Sequence, residues 1–229
     1  MNQIKIERID KDFLVVYKPA GIAVQSARFG EMDLEHWIHG KLAEVAGGTQ
    51  GMPYLAVIHR LDQPVEGLLV FARDKKTAGI LSGQMQGGQI GKEYLAVVES
   101  KPQKESGRLE DLLLRDGRTN VSRVVQPGTM GAKRAVLEYS CIQTHKSGQA
   151  LLKIRLLTGR HHQIRVQLAH AGMPIVGDLK YNPHSRSGAG SLALCAWALS
   201  FAHPVTGERL RFKTIPQGEQ FQIFNLTLD

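Results

Sequence analysis

Three short stretches of this chain gather side chains able to do chemistry. The first is His59-Arg60-Leu61-Asp62. An aspartate flanked by two groups that can carry positive charge has its ionised form favoured, because a cation within a few ångströms lowers a carboxylate pKa by roughly 1 to 3 units. Pro64 and Gly67 follow and shape a turn, so ordinary turn chemistry is the competing reading of the same aspartate. The second stretch runs Thr158-Gly159-Arg160-His161-His162-Gln163-Ile164-Arg165 and on to His170. It collects cations and amides where a helix is expected to begin, which suits phosphate or carboxylate; a solvated basic face is the plainer reading of each member alone. His161 and His162 are adjacent and so do not share a helix face, which makes them poor joint metal ligands. The third stretch is Lys92-Glu93-Tyr94. Strand alternation sends Lys92 and Tyr94 to one face and Glu93 to the other, and Tyr94 gains a chemical role only if its face also receives Asp62.

These stretches need elements to hold them. Ile4 to Ile9 alternates with period two, Asp10 to Asp12 reads as a turn, and Phe13 to Tyr17 is β-prone, so a hairpin is expected. Lys18-Pro19-Ala20-Gly21 ends its second strand. A helix is expected from Asp33, its N-cap, to Ala46, with Leu34, Trp37, Ile38, Leu42 and Val45 on one stripe and Gly47-Gly48 as its end. The apolar runs Leu55–Ile58 and Gly67–Ala72 read as buried strands that hold the polar segment His59 to Glu66 between them as an open loop, a position where a rigid scaffold can present reactive groups. Asp74 caps a second helix to about Gln86. Strands are expected over Gln89–Glu99, Lys133–Thr144, Gln149–Leu157, Leu192–Ala202 and Glu208–Lys213, with a hairpin turn at Asp116-Gly117 and another at His145 to Gly148. A third helix, about Arg160 to Ala171, buries Ile164, Leu168 and Ala171 and lets Arg160, His161, His162 and Arg165 emerge. An open loop is expected over His184–Gly190. Strands outnumber helices and many are hairpin-linked, so the fold class is α+β on a mixed, largely antiparallel sheet.

Composition narrows the partners. In 229 residues the 29 Lys and Arg exceed the 21 Asp and Glu, and the excess is uneven. Up to Leu114 there are 14 basic and 15 acidic residues; from Arg115 onward, 15 and 6. A half-chain of charge +9 raises nucleic acid as a partner, since cation contacts to phosphates release counterions whatever sequence is read, although charge also serves solubility alone. Two cysteines, Cys141 and Cys195, exclude a disulfide framework and a four-thiolate zinc site. The longest nearly apolar run, Leu192 to Ala202, is too short to span a bilayer, and the N-terminus has no signal-peptide pattern, so a cytoplasmic protein with no membrane partner is expected. There is no His-Glu-x-x-His, Cys-x-x-Cys, P-loop, dinucleotide fingerprint or serine nucleophile elbow.

Taken in order, Lys18-Pro-Ala-Gly-Ile22, His59-Arg-Leu-Asp62, Gly67-Leu-Leu-Val-Phe-Ala-Arg73, Lys92-Glu-Tyr94 and Gly159-Arg-His-His-Gln-Ile-Arg165 through Gly177-Asp178 resemble the RluA-type pseudouridine synthases. The resemblance covers about Val15 to Ala202. It implies one catalytic domain over residues 1–229, with the sheet in two halves flanked by helices and an active-site cleft between them. The implied activity is isomerisation of specific uridines in rRNA or tRNA to pseudouridine, without metal or other cofactor. Asp62 would be the catalytic aspartate, Tyr94 the active-site tyrosine and Arg165 the basic partner of Asp62, with RNA contacts from His59, Arg60, Arg160, His162 and Gln163. The chemistry agrees with the residues: replacing the N-glycosidic bond by a bond from C5 needs a carboxylate at the sugar, either attacking C1′ or taking the C2′ proton, and the sequence does not choose between them.

Two departures stand out. Relatives usually have Thr-Ser-Gly where this chain has Val65-Glu66-Gly67, which on an exposed loop would bear on substrate choice rather than on folding. Only 17 residues precede Lys18, too few for the small N-terminal RNA-binding domain many relatives carry, so RNA affinity is expected from the catalytic domain. A non-catalytic RNA-binding protein on the same fold is the alternative. A metal-dependent phosphodiesterase using His161, His162 and Asp178 is a third reading.

Overall fold

The computed structural model describes residues 4–26, 30–45, 52–185 and 190–227. The chain divides into two compact units, Met1–Gly91 with Trp197–Thr214, and Lys92–Ala196 with Ile215–Asp229.

In the first unit the expected hairpin forms from β1 (Lys5–Ile9) and β2 (Phe13–Lys18), with the Asp12 N–H donating to Asp10 Oδ1 in the turn. β2 pairs antiparallel with β4 (Glu66–Ala72), Phe13 opposite Ala72 and Lys18 opposite Gly67. Every residue of both strands is buried, which requires cover on both faces. On one face the alternate residues Phe13, Val15 and Tyr17 with Leu68, Val70 and Ala72 meet Leu81 of α2 (Lys75–Gln86) and Phe201. α2 starts as read: Asp74 accepts from the Thr77 N–H at 2.9 Å, satisfying one of the donors a helix start leaves open. Its Gln84 exchanges two hydrogen bonds with the Ala202 backbone, fastening the helix to the end of β10 (Leu194–Ala202), which pairs with β11 (Arg209–Lys213). α1 (Leu34–Val45) is capped by Asp33, which accepts from the His36 N–H at 2.9 Å. Val45 is 78% exposed instead of joining the buried stripe of Leu34, Ile38 and Leu42. The expected helix end at Ala46 to Gly48 lies outside the described residues, as does part of the loop expected over His184–Gly190. Leu55–Ile58 yields only the two-residue strand β3 (Ala56–Val57) beside β4, half-buried throughout.

The second unit is an antiparallel sheet in the order β5 (Gly91–Val98), β9 (Ala150–Leu156), β8 (Lys133–Thr144), β6 (Ser106–Asp116) and β7 (Val121–Val125). Asp116-Gly117 does open the β6–β7 turn, and Asn120 closes it with a left-handed backbone, φ 51°. The strands on either side were not legible, because Leu112-Leu113-Leu114 breaks the alternation of β6. α3 spans Gln163–His170, shorter at both ends than expected, and Gln163 to Leu168 are all buried. Val166 packs on Leu113 and Ala135 with Val124 and Tyr181. Gly177 is required by space and conformation together: its φ is +76°, and a Cβ there would lie 2.3 Å from the Ser191 carbonyl oxygen.

The fold class is α+β, as the segment pattern implied, with three α-helices among the described residues and a largely antiparallel sheet. Among the described residues no helix is long and apolar enough to cross a membrane.

Candidate active site

In the first unit Asp62 occupies the loop between β3 and β4, half-buried, with Leu61 and Val65 buried on either side and Arg60 exposed. The Val65 N–H donates to the Asp62 carbonyl at 3.0 Å, closing a four-residue turn. A second segment clamps this turn. The Gly21 N–H donates to the Gln63 carbonyl at 2.9 Å, and Gln63 Nε2 returns a bond to the Gly21 carbonyl at 3.1 Å. Gly21 has φ +92°, so Lys18-Pro19-Ala20-Gly21 is the turn that makes this clamp as well as the end of β2. Lys18 is fully buried, and its ammonium donates to the carbonyls of Pro19, Ile22 and Gln63 at 2.9, 2.8 and 3.1 Å. Burial draws the Lys18 pKa from 10.5 down to about 7, against the opposing pull of Asp62 and Glu66. His59 is half-buried, and its Nε2 accepts from the Val70 N–H of β4 at 3.3 Å.

Val65 and Glu66 correct the expectation of an exposed loop. Each is 2% exposed, Glu66 is the first residue of β4, and the Tyr17 hydroxyl donates to its carboxylate. Replacing this pair therefore reaches the core. Val65→Thr with Glu66→Ser buries a new hydroxyl and takes the carboxylate from Tyr17, which should cost about 1–3 kcal/mol and lower the melting temperature by roughly 2–4 °C per kcal/mol at this chain length. A thermal melt by circular dichroism that coincides with the parent's would overturn this.

In the second unit Tyr94 lies on β5 opposite Ile154, 7% exposed. Lys92 is half-buried, with its pKa lowered by burial, and Glu93 pairs with Lys153 at 3.1 Å. The turn before α3 is built around Gln163. Its Oε1 accepts from Thr158 Oγ1 at 2.8 Å and the Arg160 N–H at 2.9 Å, and its Nε2 donates to the Val136 carbonyl at 3.0 Å. This closed turn occupies residues the sequence assigned to helix. Arg160 remains exposed, its Nε donating to the Arg134 carbonyl.

Arg165 and His162 do not emerge as expected; they are 4% and 7% exposed. The Arg165 guanidinium donates from Nε and Nη2 to the two carboxylate oxygens of Asp178, at 2.8 and 2.7 Å, and lies 5.2 Å from the Tyr181 ring centroid. The Tyr181 hydroxyl accepts from the Ser122 N–H at 2.8 Å and shares a 2.7 Å bond with His162 Nδ1. The helix begins after the histidine pair and His162 has φ 53°, so the two rings stack at 3.7 Å rather than diverge, and His161 Nδ1 reaches Ser122 Oγ at 2.8 Å. Both Asp178 oxygens and one nitrogen of each histidine are thus engaged with protein groups, which argues against a metal held by these three. Among the described residues, the group with metal-ligand spacing is Asp10, Asp12 and His203.

Asp178 and Tyr181 as partners of Arg165, and Lys18 as the anchor of the Asp62 turn, were not read from the sequence. Gly177-Asp178 was visible only as a motif, and Lys18 only as a strand end. A lysine just before Pro-x-Gly carries no signal that its stem runs inward.

The sequence profile of the RNA pseudouridylate synthase family matches residues 12–170. The chain belongs to this family. The synthase is 34% identical to an uncharacterized RNA pseudouridine synthase of Zymomonas mobilis, over 87% of this chain and 90% of the relative. It is 31% identical to the ribosomal large subunit pseudouridine synthase C of Haemophilus influenzae, over 92% of this chain and 64% of that one. Its fold matches the human RNA Pseudouridylate Synthase Domain Containing 4 with TM-score 0.76 and 25% identity, covering 93% and 88% of the two chains. The synthase is accordingly an isomerase that converts uridine to pseudouridine in RNA.

Proposed function

We propose that the synthase modifies ribosomal RNA in the cytoplasm and that Asp62 is its catalytic aspartate, with Tyr94 as the active-site tyrosine and Arg165 as the active-site cation. The ribosomal substrate rests on the similarity to the large-subunit synthases C and D, each 31% identical over 92% of this chain. The observation that carries the role of Asp62 is the clamp around its turn: three Lys18 hydrogen bonds, one of them to the carbonyl of Gln63, hold a half-buried carboxylate in a fixed place. There it acts on the ribose of a flipped-out uridine, as nucleophile at C1′ or as base at C2′. The N1–C1′ bond breaks, uracil turns, and a C5–C1′ bond forms as the C5 proton leaves to water and N1 gains one. One catalytic domain spans both units, and the family match running through residues 12–170 supports this. The test is release of tritium to water from ribosomal RNA transcripts labelled at uridine C5, with transfer RNA in parallel. Binding without release would favour a non-catalytic RNA-binding protein.

RNA is held through exposed cations. Arg60 and Arg160 are exposed, whereas Gln163 and His162 are buried and shape the turn beneath Arg160. Binding should therefore weaken linearly in log–log salt, by about −0.7 per single-strand and −0.9 per duplex phosphate contact. Arg160→Glu should flatten that slope by about one contact in filter binding. A slope unchanged by Arg160→Glu would remove Arg160 from the interface.

A further inference from the structure

Glu66 departs from the usual family pattern and is buried beside the Asp62 turn. A carboxylate this deep persists only where neighbours compensate its charge. The Tyr17 hydroxyl donates to it, and the Lys18 ammonium lies within its field, as it does within that of Asp62. Alternation from the Tyr17–Leu68 and Lys18–Gly67 pairs places Tyr17 and Glu66 on the α2-facing side of the β2–β4 pair and Lys18 on the other. The same register sets Glu66 next to the Gly67 that faces Lys18, so the two buried groups are diagonal neighbours at the strand end. Lys18 is where that coupling matters. An ammonium has three donors, and Lys18 places all three on carbonyls, one of them in the Asp62 turn. The neutral amine has two donors and no charge, and can hold only part of that clamp.

We propose that Glu66 is a positioning residue of this synthase, its carboxylate, fixed by Tyr17, keeping Lys18 in the ammonium form that clamps the Asp62 turn. Its bearing on turnover rests on Asp62 being the catalytic aspartate. Burial works against the Lys18 charge and draws its pKa to about 7, while Asp62 and Glu66 both raise it. Loss of either carboxylate therefore releases the clamp at lower pH.

The test is the pH dependence of kcat/KM for tritium release by the parent and by Glu66→Gln, with the Lys18 titration followed by NMR on protein carrying 13C at lysine Cε. Removing a negative charge makes every nearby group give up its proton at lower pH. Both limbs of the profile and the Lys18 midpoint should move down together, by about one pH unit for a charge a few ångströms away. Tyr17→Phe keeps the carboxylate but removes its donor; it should shift them the same way by less, and it decides the matter if Glu66→Gln does not fold. A packing role alone would lower the profile and the melting temperature while leaving the limbs and the Lys18 midpoint in place, and that result overturns the proposal. An unshifted Lys18 midpoint overturns it whether or not the protein turns over. A shifted midpoint in a parent that releases no tritium upholds the coupling and counts against the functional reading instead.

Discussion

Asp62→Asn should fold, bind RNA about as well as the parent, and release no tritium from C5-labelled uridine. Asparagine keeps the size and most of the hydrogen bonding of aspartate. It carries no charge, cannot attack C1′, and cannot take the C2′ proton, so either route through the ribose fails. The loss should be on the order of 10⁴-fold or more, the scale seen when the reacting group of a catalytic unit is removed. The fold should tolerate the change below neutral pH, where Lys18 stays an ammonium even without the Asp62 charge, because the bonds that shape the turn run through the carbonyls of Asp62 and Gln63 and not through the carboxylate. One negative charge fewer near phosphate should tighten RNA slightly. Substantial isomerisation by the folded variant, once mass spectrometry has excluded deamidation back to aspartate, would move the catalytic role elsewhere.

The second large effect concerns stability. Asp178→Asn keeps an acceptor for the Lys180 and Tyr181 N–H groups but removes the charge that faces the buried Arg165 guanidinium through two hydrogen bonds. Breaking one side of a buried ion pair typically costs about 3–5 kcal/mol. For a chain of this length that corresponds to a drop in melting temperature of roughly 6–20 °C. Arg165→Met combined with Asp178→Asn removes both charges and should recover part of the stability, since a well-packed apolar replacement of a buried pair is often neutral. It should recover no turnover if Arg165 is the active-site cation. A melt of Asp178→Asn that matches the parent's would show that other groups hold Arg165, and full turnover by the double variant would remove Arg165 from the chemistry.

Much of the fold was legible wherever local rules and tertiary structure agree. Asp33 and Asp74 cap their helices because the oxygen a cap needs lies on the residue just before an apolar period. The first hairpin and β8, Lys133–Thr144, follow β-branched and aromatic runs bounded by turn residues. The five ordered motifs sufficed to name the family, because spacing and residue type survive in sequence without any knowledge of which way a side chain points. The legible part ended where burial departs from chemical type. Glu66 read as an exposed loop residue, Arg165 as a group emerging near a helix start, Gln163 as an RNA contact and Lys18 as a strand end, yet each is buried. The partners that make this possible are distant in the chain: Tyr17 lies 49 residues from Glu66, and the Val136 carbonyl 27 from Gln163. Local pattern carries no signal for such pairs. For the same reason α3 is shorter than its sequence pattern, since the Gln163 bonds to Thr158, Arg160 and Val136 and the left-handed backbone of His162 turn the residues before it into a loop. The sequence by itself determined the family and the fold class, and it put forward Asp62 as the aspartate on which the chemistry is proposed to turn. Tertiary structure alone decided which charges are buried and what compensates them, because a buried charge is stable only through groups that folding brings to it.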